Sequence, residues 1–326
     1  MQHIVYFHRL FGRFMQMSVH VALVAMVLAW PRQGWAHGFV GDRFFPPTIQ
    51  TDDPFATDEF SVSVQSFKNY GGSAPGGFST RELDVTTEFD KEIFPKFALG
   101  ISDTYSNQMP DANFGANSAS GFQNLSLSAK YQLWQDDPHE WIFSVGGEIS
   151  LGGTSDKALG DPAETNTFST YTPDLYFGKG FGDLPDALKY LKPFALTGTV
   201  GYDIPSEGGD QGVLNWGFAL EYSLPYLQQH VEDIGIPAPF RDLIPLVEFT
   251  QGTPTNANGG NATTTTGTVD PGVLWEGKYC QIGAEAVIPT SNASGPDIGA
   301  VFSVQIYIDD LFPKVFGHPL FGKDSQ

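Results

Sequence analysis

Cysteine occurs once in the 326 residues, at Cys280, so neither an intramolecular disulfide framework nor a multi-cysteine zinc site organises the chain. Positive charge is scarce as well, with 17 Lys and Arg against 37 Asp and Glu. A formal charge of −20 excludes a nucleic-acid binder, because phosphate contacts need a basic face and this one repels them. Charged residues of both signs make up only 17% of the chain, below the roughly 25% of soluble domains, while the apolar fraction is an ordinary 41%. Something other than charge must cover the surface. The last deficit is in long apolar runs: after residue 36 no stretch approaches the ~20 consecutive apolar residues of a spanning helix. If the mature chain enters a membrane, it does so without helices.

The first 36 residues differ from the rest. Arg9 and Arg13 form a positive start, Val19 to Ala29 is apolar apart from His20, and Gly34-Trp35-Ala36 places small residues at −3 and −1 of a cleavage site before His37. Residues 1–36 therefore read as a signal peptide for Sec-type export. The apolar run is too short for the alternative, an uncleaved anchor. Removal takes away three Arg and no acid, which leaves −23 on the mature chain.

Beyond residue 58 apolar residues recur at every second position, in runs separated by Gly, Asn, Pro and Asp. Ile298, Ala300, Phe302, Val304 and Ile306 alternate with Gly299, Ser303, Gln305 and Tyr307. Leu125, Leu127, Ala129, Tyr131 and Leu133 alternate with Asn124, Ser126, Ser128, Lys130 and Gln132. The pattern predicts strands at about 59–68, 80–90, 96–106, 121–133, 139–151, 167–180, 190–203, 211–224, 241–252, 264–275, 278–288 and 297–308. That makes twelve, an even number.

The connections are informative too. Short ones (91–95, 134–138, 181–189, 276–277) alternate with Gly/Asn/Ser/Thr-rich ones of about 11 to 15 residues, as in a bacterial outer-membrane barrel with tight periplasmic turns and long outer loops. Ile204 to Asp210 and Pro289 to Pro296 are modest for outer loops, and Pro225 to Phe240 is long for such a turn and has room for a short helix. Aromatic residues flank every proposed periplasmic turn, as a membrane-water boundary requires. Phe94, Phe97, Trp134, Trp141, Tyr222, Trp275 and Tyr279 form this belt, with Phe181, Tyr190, Tyr226, Tyr307 and Phe312 beside them. The expected fold is thus all-β: a single transmembrane antiparallel barrel of about 12 strands over 59–308, a plug-like N-terminal segment at 37–58 and a periplasmic tail at 309–326. A soluble β-sandwich also alternates, but it buries its apolar face and needs no aromatic flank.

With the apolar rows turned to lipid, the inward set comprises Glu82, Asp84, Glu88, Glu148, Asp174, Glu221, Glu248 and Glu285, with Lys130 as the basic counterpart. Such carboxylates favour cations or neutral solutes over anions, unless they are merely solvated or paired, Lys130 with Glu148 for example. Twelve strands enclose a narrow bore. The N-terminal segment, carrying Phe39, Phe44, Phe45 and Phe55, is too apolar for a free tail and is expected inside the barrel or at its periplasmic mouth. An amine-imidazole chelate at His37 is conceivable for copper, but His139, His230 and His318 sit in turns or tails, so no metal or cofactor is assigned. No Gly-x-Ser-x-Gly elbow occurs and no strand holds a histidine beside a serine nucleophile, so no catalytic residue is assigned and the chain is not read as an enzyme. The sequons at Asn261 and Asn292 and the glycine pair Gly259-Gly260 read as loop composition.

Three stretches carry a family resemblance: Val269-Asp-Pro-Gly-Val-Leu-Trp275, Gln281-Ile-Gly-Ala-Glu-Ala-Val-Ile-Pro289 and Gln305-Ile-Tyr-Ile-Asp-Asp-Leu-Phe-Pro313. They resemble the barrel proteins of the phenol-degradation meta-pathway (MetA-like) family. Over roughly 50 residues these words supply a turn, a strand face and a closing strand, and no functional residues to carry over. The resemblance implies an outer-membrane protein of a Gram-negative bacterium that takes up aromatic compounds. The expectation is therefore a passive channel for small solutes, in contact with outer-membrane lipid. The alternatives are a non-transporting barrel that binds a protein partner at its loops, and an exported soluble β-protein.

Overall fold

The computed structural model describes residues 38–70, 79–110, 118–156, 168–207, 211–255 and 264–322. The proposed signal peptide, His37, Gly259-Gly260 and Asn261 lie outside them. A short hairpin comes first, β1 (Phe39–Val40) against β2 (Arg43–Phe44). The remaining strands are β3 (Glu59–Tyr70), β4 (Ser79–Phe94), β5 (Phe97–Pro110), β6 (Ala119–Phe122), β7 (Ser126–Asp136), β8 (Trp141–Ser150), β9 (Thr170–Gly180), β10 (Phe194–Pro205), β11 (Val213–Tyr222), β12 (Leu243–Pro254), β13 (Thr266–Glu276), β14 (Cys280–Pro289) and β15 (Gly299–Tyr307).

Each strand pairs antiparallel with its sequence neighbour, and β15 pairs back onto β3, from Ala300 opposite Ser66 to Tyr307 opposite Glu59. Since β6 and β7 occupy one position in the ring, the result is a closed barrel of twelve strands. Closure removes the two free edges that an open main sheet would present, although β6 pairs with β5 alone among the described strands.

Exposure fixes which face is which. Large apolar side chains such as Leu127, Leu175, Val200, Trp216 and Phe302 are exposed on the outer wall, whereas Ser144, Thr197, Glu221, Gln281 and Ser303, of the opposite phase, are buried. This inverts the pattern of a soluble barrel, whose apolar rows fill the centre.

Residue 58 and residue 308 lie at the same rim, called here the terminal rim. Three of its five turns are compact, while the β9–β10 and β11–β12 connections, 181–193 and 223–242, are long. β4 runs through Phe94, beyond the expected strand end, because Lys96 adopts a left-handed φ of 69° and lets Pro95-Lys96 alone make the turn. Between β7 and β8 a 3-10 turn, Asp137–His139, is capped by Asp136, whose Oδ1 accepts from the His139 amide at 3.3 Å. The expected helix between β11 and β12 is present as one α-turn, Leu224–Tyr226, running into a wider turn, Leu227–Val231. Ser223 caps it, accepting from Tyr226 N at 3.1 Å.

One expected strand is broken. Residues 121–133 read as continuous, yet Gln123, Asn124 and Leu125 leave the ladder. Gln123 N still reaches Thr104 O on β5 at 2.8 Å, while the loop after β8 takes the groups on either side: Asp156 accepts from Phe122 N at 2.9 Å, Thr154 Oγ1 from Leu125 N at 2.8 Å, and Asn124 Oδ1 from Ser155 N at 3.1 Å. Local side-chain acceptors have outcompeted a neighbouring strand.

A closed hydrogen-bonded ring has no end from which to fray. The protein, kept unboiled in dodecyl sulfate, is expected to migrate faster on a gel than after boiling. Identical migration before and after boiling would contradict closure.

Candidate functional site: the barrel interior

The interior changes character along its length. Near the terminal rim, polar inward residues such as Glu59, Glu221 and Gln281 are interrupted by an apolar set: Ile142 on β8, Ala195 on β10, Ile244 and Leu246 on β12, Leu274 on β13. These residues meet the segment that precedes β3. Val40, Phe45 and Phe55 pack with Ile142 and Ala195, while Phe44 and Ile49 pack against Ile244, Leu246 and Leu274. Phe45 and Phe55 lie 6.2 Å apart, ring to ring. Each fully buried side chain of this size contributes about 1.5–3 kcal/mol, which makes this the main force holding the segment.

Polar contacts then fix its path. Glu248 on β12 accepts three consecutive amides: Ile49 N at 2.7 Å, Gln50 N at 3.1 Å and Thr51 N at 2.6 Å. Gln281 on β14 donates to Pro47 O at 2.6 Å, and the Ser144 hydroxyl donates to Pro54 O. Lys130 on β7 donates to Asp52 Oδ1 and Asp53 O, each at 2.8 Å, and lies 4.7 Å from the Tyr176 ring centroid.

The tightest fastening lies at the terminal rim. Arg43 is fully buried; its Nε meets Glu140 Oε2 at 3.2 Å, Nη1 donates to Pro193 O at 3.1 Å, and Nη2 donates to Lys192 O. Its guanidinium also covers the Tyr226 ring at 3.7 Å. Glu140 in turn accepts from Tyr226 Oη at 3.0 Å and Gly182 N at 2.8 Å. Three rim turns and the β1–β2 hairpin thus converge on one ion pair. Gly180 makes this possible, since a Cβ there would stand 2.1 Å from Glu140 Oε2 and 2.6 Å from Arg43 Nε. Burial holds the Tyr226 phenol above its ordinary range, and the neighbouring Glu140 carboxylate adds to this while Arg43 opposes it. Burial likewise raises the Asp58 carboxyl, partly offset by Lys91 at 2.5 Å.

All nine residues named for the interior occupy the inward phase of their strands. Asp84 accepts from the Ser106 hydroxyl, Glu82 from Gln108 Nε2 at 3.3 Å, and Glu148 from Ser126 Oγ at 2.9 Å. Glu88 stands opposite Ser61 and Ser102, and Asp174 opposite Gly146 and Gly201. Glu221 and Glu285, both buried, stand opposite Ala195 and Gly272. The pairing of Lys130 with Glu148 is corrected: the lysine turns to Asp52 of the N-terminal segment, which brings both a carboxylate and a carbonyl within reach.

The belt residues gather at the terminal rim. Phe94, Trp134 and Trp141 are exposed, Phe97 lies 6.3 Å from Phe94, and Tyr222 packs edge-on against Phe194 at 4.8 Å. Trp275 and Tyr279 flank the β13–β14 turn, with Lys278 over the Tyr279 ring at 4.7 Å. Two of the additional aromatics depart from the belt: Tyr226 is drawn under the rim by Glu140, and Tyr307 faces inward to donate to Glu276 at 2.9 Å. Sequence reasoning missed Arg43 and Glu140. The available signal was a lone arginine in an otherwise acidic and aromatic segment.

No family model matches the chain, and no curated protein matches it in sequence. Solved structures do. An outer membrane channel from Pseudomonas putida F1 is similar with a TM-score of 0.53 at 13% identity, over 80% of this chain and 99% of that one. The KdgM porin gives 0.37 at 11% identity, over 76% and 98%, and LpxR from Salmonella typhimurium 0.44 at 9%, over 76% and 99%. Of these three only the first exceeds 0.5, and at 13% identity it speaks for the fold alone: the chain has the fold of an outer-membrane β-barrel.

Replacing Arg43 by Met leaves Glu140 buried without its cation. The expected loss is about 3–5 kcal/mol in urea titration, with faster amide exchange across residues 38–45. The double substitution Arg43→Met, Glu140→Gln is expected to recover part of it, because no unpaired charge remains.

Proposed function

We propose that the protein is a narrow, passive channel of the Gram-negative outer membrane, reached after Sec-type export, with segment 37–58 as its plug. The observation that carries this reading is the inverted barrel: exposed apolar rows outside, and a row of carboxylates inside. An outward Leu or Phe row is favourable only against acyl chains, and a water-filled interior lowers the cost of carboxylates there. In this orientation the terminal rim faces the periplasm and carries the aromatic belt.

Charge sets the selectivity. Eight acids against Lys130, itself neutralised by Asp52, favour cations and uncharged solutes. The resemblance to the MetA-like barrels supports small aromatic compounds as the uncharged class. The extent of the plug's fastening favours a second reading, a silent barrel whose outward loops bind a protein partner. Conductance in planar bilayers separates the two.

The channel reading expects small currents with cations more permeant than anions. The triple substitution Asp84→Asn, Glu148→Gln, Asp174→Asn is expected to move the reversal potential in a salt gradient toward zero. Loosening the plug with Arg43→Met and Glu248→Gln is expected to raise conductance several-fold. Silence in the native and loosened forms alike, from correctly folded protein, would reject the channel and leave the interaction role.

The lipid-facing assignment has its own test. Val200, exposed on the outer wall of β10, is expected to lower the unfolding free energy by about 2–4 kcal/mol when changed to Arg in bilayers, as a cation placed within the hydrocarbon does.

A further inference from the structure

The chain does not stop at the closing strand. After Tyr307 comes a single helical turn, Ile308–Leu311, and then an irregular stretch that reaches Gly322. Its contacts place it outside the barrel rather than beneath it. Phe316 meets Phe89 edge-on at 6.4 Å, and Phe89 belongs to the outward phase of β4, opposite the phase of Glu88 and Asp90. Phe321 lies 5.7 Å from Phe94 at the terminal rim. Leu320 N donates to Glu92 O at 3.1 Å and Phe321 N to Ile93 O at 2.8 Å, so the tail adds a short backbone pairing to the end of β4. Lys91 ties the two together by donating to both Asp58 and His318 O.

The outer surface of this tail is apolar. Phe312, Val315, Leu320 and Phe321 are all more than half exposed, and they continue the exposed ring of Phe94. A contiguous patch of this kind facing water is costly. The stretch 312–321 itself carries Lys314 and no acid, with Asp309 and Asp310 just ahead of it. Aromatic and aliphatic side chains beside lysine and histidine suit the boundary between headgroups and acyl chains, where rings sit at headgroup depth and lysine reaches phosphate. Within the tail, backbone amides are paired as well, Val315 and Phe316 with Phe312 O and His318 with Phe316 O, which lets an irregular segment approach hydrocarbon.

We infer that residues 312–321 form an interfacial membrane anchor, lying against the outer wall at the β4–β5 rim with Phe312, Val315, Leu320 and Phe321 inserted among the lipids of the periplasmic leaflet. The inference rests on the outer-membrane reading, and it commits to lipid because the patch is continuous with the barrel's own lipid-facing aromatic rim. The anchor holds that rim at a fixed depth and covers the rim end of β4 without entering the lumen.

The test uses the full barrel in vesicles of phosphatidylethanolamine and phosphatidylglycerol, in a Cys280→Ala background. Nitroxide labels are placed singly through Val315→Cys, through Phe302→Cys on the outward face of β15, and through Glu207→Cys, exposed at the opposite rim. Collision with dissolved oxygen is compared with collision with a water-soluble nickel complex. The Val315 label is expected to favour oxygen several-fold more than the Glu207 label and to resemble the Phe302 label. A Val315 label in water beside a Phe302 label in lipid overturns the anchor and leaves the barrel reading intact. Labels at both positions in water overturn both. A Val315 label shielded from both colliders means that protein, a partner or a second copy, covers the tail, and that also overturns the anchor.

Discussion

A backbone amide inside hydrocarbon has no water to bond with, and this shapes the whole chain. Only a helix or a closed sheet satisfies every such group, and the sequence has no apolar run long enough for a helix. Closure then imposes period two on every strand, and period two separates outward Leu127, Leu175 and Trp216 from inward Ser144, Glu221 and Gln281. The low charged fraction follows from the same cause, since a wide band of the surface is greasy by necessity.

This constraint explains how much of the fold was legible. Twelve strands and their approximate limits were readable, because they rest on local period and turn chemistry, whereas the alternation of connections holds only in part: 223–242 at the terminal rim is longer than 206–212 opposite. The break at Gln123–Leu125 was not, since the side chains that take the amides of Phe122 and Leu125, Asp156 and Thr154, come from a loop some 30 residues away. The interior was legible by phase but not by partner. Lys130 and Glu148 lie on adjacent strands and looked paired, yet the lysine finds Asp52, more than 70 residues earlier.

The larger omission concerned apolar residues in the inward phase. Ile142, Ile244, Leu246 and Leu274 break the polar pattern of their strands at one end only, and in the structure that end is where the N-terminal segment packs. Such residues are signs of a filled interior. The segment is held by two unlike kinds of force: diffuse burial of Val40, Phe45 and Ile49, and a few localised bonds at Arg43, Lys130 and Glu248. Burial gives most of the attraction, whereas the charged bonds set its register and depend on each partner remaining in place.

The seam between β15 and β3 has a consequence for how the molecule comes into being. Gln305 donates to Glu59 across 246 residues of chain, and the pairs beside it span nearly as far. Every other junction in the ring is between near neighbours in sequence, so a growing chain can lay down a curved ribbon but cannot shut it until its final strand arrives. Up to that moment the ribbon has two bare margins, each a template for aggregation. Birth of this barrel is therefore all-or-nothing at its last nine-residue strand, and a chain cut short before Gly299 is an adhesive open sheet rather than a smaller pore.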